Sequence, residues 1–165
     1  MKHYSYSGAW LAWCNLYILK IMEKFTVRDF ISSDFDQLME IWLSTGLGSA
    51  QRGDNLQIIE QSVSMGGKML MVEKFGKIIG TSWMTFDGRR IHLHHFGVHP
   101  DYQRKGVGLK LARESLKFVK QKGYQVKLEV HKDNHAAIDL YKKLGFTYLG
   151  DYDVYIIRDL GIIDV

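Results

Sequence analysis

Two glycines stand two positions apart where a strand pattern gives way to a helix pattern. They belong to a short basic segment that reads Gln103, Arg104, Lys105, Gly106, Val107 and Gly108. Backbone N–H groups at a helix start converge on one point and attract anions. Glycine allows phosphate oxygens to approach the backbone closely, and the arginine and lysine add positive charge. The segment predicts a diphosphate site, although a Gly-rich helix start beside a solvated basic rim is the plainer alternative.

Residues with acid–base chemistry lie just upstream, in the strand expected at 91–98. His92 and His94 fall on one face because side chains alternate along a strand. Imidazole titrates near neutral pH, so either histidine could take a proton from an ammonium group. A hydrogen-bonded polar residue beside a cleft is the alternative for each. His95 and His99 are expected to face elsewhere or to lie at the end of the strand.

The same four histidines raise the question of a metal site. A His-x-His pair supplies two ligands, but a zinc site needs three or four protein groups. No paired Cys or His motif stands nearby, and the chain has a single cysteine, Cys14. We therefore expect no metal.

The third chemical feature is a pattern in the last helix of the expected series. Residues 134–146 fit N-x-x-A-x-x-L-Y-x-x-x-G-F, with Asn134 first and Tyr141 at its centre. Residues 103–108 fit Q/R-x-x-G-x-G/A. Both motifs, in this order and spacing, resemble the GNAT family of N-acetyltransferases, and the order of strands and helices resembles it from about Glu23 to Arg158.

This resemblance implies that acetyl-CoA is the cosubstrate. The N–H groups of 104–108 would hold its pyrophosphate. The backbone of Phe96 and Val98, with Gly97 between them, would pair with the pantetheine arm in a strand-like manner. Asn134 would bond the arm from the neighbouring side.

The resemblance also implies catalytic roles. Tyr141 matches the tyrosine that commonly protonates the CoA sulfur, with a simple core aromatic as the alternative. His92-Leu93-His94, followed by Val98-His99, looks like the histidine pair of arylalkylamine N-acetyltransferases. That likeness is local and names no substrate, but it makes His92 and His94 the candidate bases.

The fold expected from these elements is α/β, of the α+β kind, in one domain over residues 22–165. The resemblance to the GNAT family implies a mixed, mostly antiparallel seven-stranded sheet flanked by about four helices. Two central strands, 91–98 and 126–130, should splay apart to admit the thioester. The last two strands are expected near 146–149 and 152–158.

The first 21 residues differ from the rest because they are apolar and carry few charges. They lack a signal-peptide cleavage site and are too short and too broken to span a bilayer. They are either an extra N-terminal helix or a mis-assigned start upstream of Met22.

Composition narrows the functional classes. A chain of 165 residues with 13% aromatic residues is one folded domain, not a disordered segment. Its net charge is +4, but basic and acidic residues are interleaved along the chain, which argues against nucleic acid as a partner. A lone cysteine suits a reducing compartment, so we expect a cytoplasmic protein.

The sequence thus predicts an acetyl-CoA-dependent N-acetyltransferase that acts by direct attack of an amine in a ternary complex. The acceptor amine is unidentified. Acidic residues that could attract it are Asp54, Glu73, Asp87 and Glu129. One alternative is a non-catalytic acyl-CoA-binding module on the same fold. Another is an interaction protein that uses residues 1–21 as a partner or homodimer surface.

Overall fold

The computed structural model describes residues 25–48, 52–150 and 153–163. The expected N-terminal extension, 1–21, and the alternative start at Met22 lie outside these residues. The strands are β1 (Thr26–Asp29), β2 (Lys68–Lys74), β3 (Lys77–Phe86), β4 (Ile91–Val98) and β5 (Val126–Leu128). The helices are α1 (Phe35–Ser44), α2 (Leu56–Ser64), α3 (Val107–Lys122) and α4 (His135–Lys143). Three short 3₁₀ turns cover Ser32–Asp34, Pro100–Tyr102 and Leu160–Ile162.

The five strands form one sheet in sequence order. The first four pair antiparallel, whereas β4 and β5 pair in parallel. The parallel pair needs a crossover, which α3 provides. The result is an α/β fold with a mixed sheet and four helices in the described part of the chain.

The sheet is buried on both faces. Along β2, Leu70 and Val72 pack with α3 and α4, whereas Met69 and Met71 pack with α1 and α2. This alternation follows from the two-residue period of a strand and explains why β2 is apolar almost throughout. We call the two sides the α3 face and the α1 face.

The sheet has five strands in the described residues, not the seven expected. Residues 146–150 and 153–158 form no strand there, although their alternating pattern predicts two. Tyr148 and Tyr155 are 91% and 88% exposed. The neighbouring edge strand, β5, has three residues rather than the five expected, so it offers a short edge. Strand propensity without a partner edge does not make a strand.

An ion-pair network fixes the start of α1 against the sheet. The Arg28 guanidinium donates to both carboxylate oxygens of Asp34 at 2.7 and 2.8 Å and to Glu73 at 2.7 Å. Asp34 also accepts the Ile31 N–H at 3.0 Å. Its hydrogen bonds to Arg28 are the main reason why the pKa of Asp34 lies below the ordinary value.

The helices of the described chain are all short or amphipathic. Within those residues, none is long and apolar enough to cross a membrane.

Candidate active site

The two central strands stay together over three residues only. Their register pairs Ile91 with Val126 and continues as far as Leu93 with Leu128. Beyond that point β4 remains paired with β3, for example Val98 with Gly80. In the described chain, residues 94–98 therefore have an open backbone edge on the side of β5.

A β-bulge lies in this open part of β4. The register with β3 shifts between Thr81 and Trp83, and His95 has a φ of +38°. A bulge places two consecutive side chains on the same side of the sheet. His94 and His95 both face the α1 side, where the His95 ring lies 4.3 Å from the Trp42 ring, centroid to centroid. The expectation that His95 faces elsewhere is therefore wrong.

Buried hydrogen bonds hold the bulge in place. Trp42 Nε1–H donates to Thr81 Oγ1 at 3.2 Å, and Thr81 donates in turn to the His95 carbonyl at 3.0 Å. A left-handed conformation at a non-glycine residue costs about 1–3 kcal/mol. These bonds supply the constraint that such a conformation needs.

His92 and His94 share a face, as the alternation of strand side chains predicts. Their ring centroids are 3.8 Å apart. His94 Nε2 hydrogen-bonds Thr85 Oγ1 at 2.8 Å, and His92 Nε2 lies 3.8 Å from the Glu129 carboxylate.

Burial makes both imidazoles neutral near pH 7. It is the main cause that lowers the pKa of His94 to about 3, with repulsion from His92 and His95 adding to it. Burial also lowers the pKa of His92, and the Lys127 charge acts in the same direction. The Glu129 charge opposes the shift at His92.

The segment before α3 has the backbone geometry of an anion-binding loop. Arg104 and Gly106 have φ values of +57° and +80° on either side of Lys105. None of the N–H groups of 104–106 donates to a backbone carbonyl of the described chain. The helix begins with Lys110 N–H bonded to the Gly106 carbonyl at 3.1 Å. The N–H groups just before Lys110 therefore have no intrahelical partner.

Other groups of this loop are already used within the protein. Gln103 Nε2 donates to the Val98 carbonyl at 2.8 Å, and Lys105 Nζ donates to the Asp101 carbonyl at 2.7 Å. Gln103 thus joins the end of β4 to the loop. The Lys105 side chain thus bonds within the loop, while its backbone N–H has no backbone acceptor in the described chain.

The last motif lies on α4 beside the open edge of β4. Asn134 Oδ1 accepts the Ala137 N–H at 3.2 Å and caps the helix. Tyr141 is 8% exposed and meets the Phe96 ring edge-on at 5.9 Å between centroids. Burial raises the pKa of Tyr141 to about 12, so its hydroxyl keeps its proton at neutral pH.

No group of three or more His, Cys, Asp or Glu side chains in the described ranges could hold a metal ion.

Comparison with known proteins identifies the family to which the chain belongs. The sequence profile of the Acetyltransferase (GNAT) family matches residues 35–146. The chain belongs to this family. It is 27% identical over 121 residues to Acetyltransferase SG1711 of Sodalis glossinidius, an alignment that covers 73% of this chain and 85% of that protein.

Solved structures share the fold. An acetyltransferase from Streptococcus agalactiae aligns with a TM-score of 0.69 at 16% identity, covering 82% of this chain and 92% of that one. The putative acetyltransferase yncA from Salmonella typhimurium, solved with its cofactor acetyl-CoA, aligns with a TM-score of 0.62 at 23% identity. That alignment covers 76% of this chain and 80% of the yncA chain.

The contact between His95 and Asp54 does not follow from the sequence, although Asp54 is among the acidic residues that could attract the acceptor. The His95 ring lies against Asp54, with Nε2 and Oδ2 3.1 Å apart, because the bulge turns this ring towards the α1 side. In the sequence Asp54 reads as the cap of α2, but Asn55 fills that position by accepting the Ile58 N–H at 3.0 Å. No local pattern of residue types reveals the bulge.

Proposed function

We propose that the protein is an acetyl-CoA-dependent N-acetyltransferase that moves the acetyl group to a primary amine by direct attack in a ternary complex. The observation that carries this proposal is the loop before α3. The N–H groups of 104–106 have no backbone acceptor in the described chain, and Gln103 bonds the loop to Val98 at the end of the open edge of β4. Unpaired N–H groups at a helix N-terminus suit phosphate oxygens. The open strand edge offers backbone groups with which the amides of the pantetheine arm could pair.

On the cofactor side, the backbone N–H groups of 104–108 would hold the pyrophosphate. The open edge of Phe96, Gly97 and Val98 would pair with the pantetheine arm. Gln103 acts by fixing the turn, since its side chain bonds the Val98 carbonyl. While Asn134 Oδ1 caps α4, its side-chain N–H₂ donates no hydrogen bond within the described residues and would be available to the arm.

Tyr141 is the proposed acid. Transfer forms a C–N bond, breaks the C–S bond and leaves a thiolate that needs a proton. Tyr141 holds its proton at neutral pH because its pKa is raised to about 12. Its hydroxyl makes no hydrogen bond within the described chain, so the proton is available for transfer.

His92 is the better base of the histidine pair. A pKa of about 3 makes His94 a weak proton acceptor, and its Nε2 is bonded to Thr85. His92 lies 3.8 Å from Glu129, whose side chain is 52% exposed, so a proton taken by His92 has a route to solvent.

Thiol release from acetyl-CoA in the presence of a panel of primary amines tests the proposal. We expect release that requires both an amine and the protein. Tyr141→Phe should lower kcat by about 100-fold with little change in the dissociation constant of acetyl-CoA. The matched control is Tyr124→Phe, since Tyr124 is 43% exposed and packs on Phe86.

A different result would favour the binding-module alternative. The enzyme proposal would be contradicted if the protein bound acetyl-CoA tightly but no amine of the panel caused thiol release from it. Equal losses in the Tyr141 and Tyr124 variants would contradict the acid role alone.

A further inference from the structure

Three buried polar atoms meet where the α1–α2 connection crosses the bulge in β4. They are Asp54 Oδ2 and the two ring nitrogens of His95, and none has a hydrogen-bond partner within the described chain. The side chain of His95 is 6% exposed and that of Asp54 18%. Although Nε2 and Oδ2 are 3.1 Å apart, the approach lacks hydrogen-bond geometry.

Leaving these atoms unpaired is costly. A buried donor or acceptor without a partner costs about 1–3 kcal/mol, and a buried charge costs more. Asp54 forms no ion pair with a Lys or Arg of the described residues. Elsewhere in those residues the buried side-chain nitrogen and oxygen atoms all have partners, so the cost is concentrated at this one place.

The environment of Asp54 and His95 favours a cationic ligand that donates hydrogen bonds. The His95 ring packs against Trp42 and Trp83, which keep water away and lower the local dielectric. Burial lowers the pKa of His95, although the Asp54 charge 3.1 Å away opposes this shift. In the neutral ring one nitrogen can accept a hydrogen bond. A carboxylate oxygen and an imidazole lone pair together suit an ammonium, which has three N–H donors.

We propose that Asp54 and His95 bind the ammonium group of the acceptor amine. This inference rests on the function proposed above and names the residues that hold its second substrate. Asp54, which keeps some exposure, supplies the counter-charge, and His95 supplies the second acceptor atom.

The pair lies on the same side of the sheet as His92 and His94. The His94 ring lies 6.4 Å from His95 and 3.8 Å from His92, between centroids. An amine bound at the Asp54–His95 pair therefore lies at the inner end of a histidine row that leads to Glu129. Arg52 faces the same region, since its charge contributes to lowering the pKa of His95 and of His94.

Nuclear magnetic resonance on the full chain, labelled at histidine, tests the site without needing turnover. The His95 ring signals are assigned from their loss in His95→Gln. Butylammonium chloride, raised to its solubility limit, should shift them, and butan-1-ol should not. Asp54→Asn should remove the shift. Asp29→Asn, which changes a 66% exposed carboxylate paired with Lys68, should keep it.

Kinetics with the best amine of the panel give the second test. Asp54→Asn should raise KM for the amine at least about tenfold and leave KM for acetyl-CoA within about twofold, because a buried charge partner is removed from one substrate only. Arg52→Gln removes a like charge and should lower KM for the amine about twofold.

The outcomes separate the two proposals. No shift of the His95 signals by butylammonium overturns the ammonium site, whatever the activity. Amine-dependent turnover with an unchanged amine KM in Asp54→Asn overturns it too, while the enzyme proposal stands. Absence of acetyl-CoA binding overturns the enzyme proposal independently of the signals from His95.

Discussion

The loop before α3 and the histidine row of β4 present polar groups in opposite ways. The loop uses backbone N–H groups, left unpaired because Arg104 and Gly106 adopt left-handed conformations. The histidine row consists of buried and half-buried side chains whose neighbouring rings are tilted relative to one another and whose pKa values are lowered. We propose that the first region receives an anion, whereas the second lies close to the Asp54 carboxylate, which has no Lys or Arg partner in the described residues.

The difference explains why one region is readable in the sequence and the other is not. A loop that binds through its backbone needs glycines at fixed positions, and these glycines can be recognised in the sequence. A row of side chains depends on which way each one faces. In β4 that direction changes at the bulge, and a single shifted register decides whether His95 faces Trp42.

The largest expected effect on stability comes from breaking the Arg28 ion-pair network, which fixes α1 against the sheet. Arg28→Ala leaves the Asp34 carboxylate, whose side chain is 6% exposed, without its guanidinium. We expect a loss of about 3 kcal/mol in the free energy of unfolding, measured by urea denaturation. Lys68→Ala removes a pair whose carboxylate, Asp29, is 66% exposed, and should cost under about 1 kcal/mol. Equal losses in the two variants would argue against a structural role for the Arg28 network.

The next-largest effect is a pH dependence of stability that arises from the histidines of the α1 face. The pKa of His94 is about 3 in the folded protein, below its ordinary value of about 6.5 in the unfolded chain. Its stabilising contribution is therefore present above pH 6.5 and is lost as the pH falls, because the unfolded chain binds the proton first. Between pH 6.5 and 5 the loss from His94 alone is about 2 kcal/mol.

Urea denaturation at several pH values measures this slope. His94→Gln should reduce it, while His92 and His95, whose pKa values are also lowered, maintain the remainder. His131→Gln changes a 74% exposed side chain and should leave the slope as it is. A slope that His94→Gln and His131→Gln affect alike would contradict a buried, neutral His94.

The smallest effect compares one helix cap from each side of the molecule. Asn55 caps α2 and Asn134 caps α4, each by accepting an N–H three residues on. Replacing either by alanine should cost about 1 kcal/mol of stability. Only Asn134→Ala should also weaken acetyl-CoA binding in calorimetry, since Asn55 lies on the α1 side. Weakening of similar size in both variants would remove Asn134 from the cofactor site.

Much of the fold follows from local sequence signals. Asp87-Gly88 predicts the hairpin between β3 and β4, and the Asp87 carboxylate accepts the N–H groups of Arg89 and Arg90 there. Gly106 and Gly123, both with φ of +80°, bound α3 as the glycine positions indicate. These signals are reliable because each acts within a few residues.

Features that depend on distant partners are less accessible to such reasoning. The pattern at 146–158 predicts strands, but strand formation requires an adjacent edge, and β5 offers only three residues. The approach of Asp54 to His95 joins residues about forty positions apart through the bulge. Neither the short edge nor the bulge has a signature in residue type.

The central claim is that the loop before α3 binds the diphosphate of acetyl-CoA. Calorimetric titration with acetyl-CoA tests it on the parent chain, on Gly108→Glu and on Leu109→Glu. Gly108 lies between Val98 and Leu140, each 3.8 Å from a Cβ built there, whereas Leu109 is 37% exposed. The account predicts saturable binding to the parent, affinity at least about 100-fold weaker for Gly108→Glu, and little change for Leu109→Glu. No binding to the parent, or equal binding to all three proteins, would contradict it.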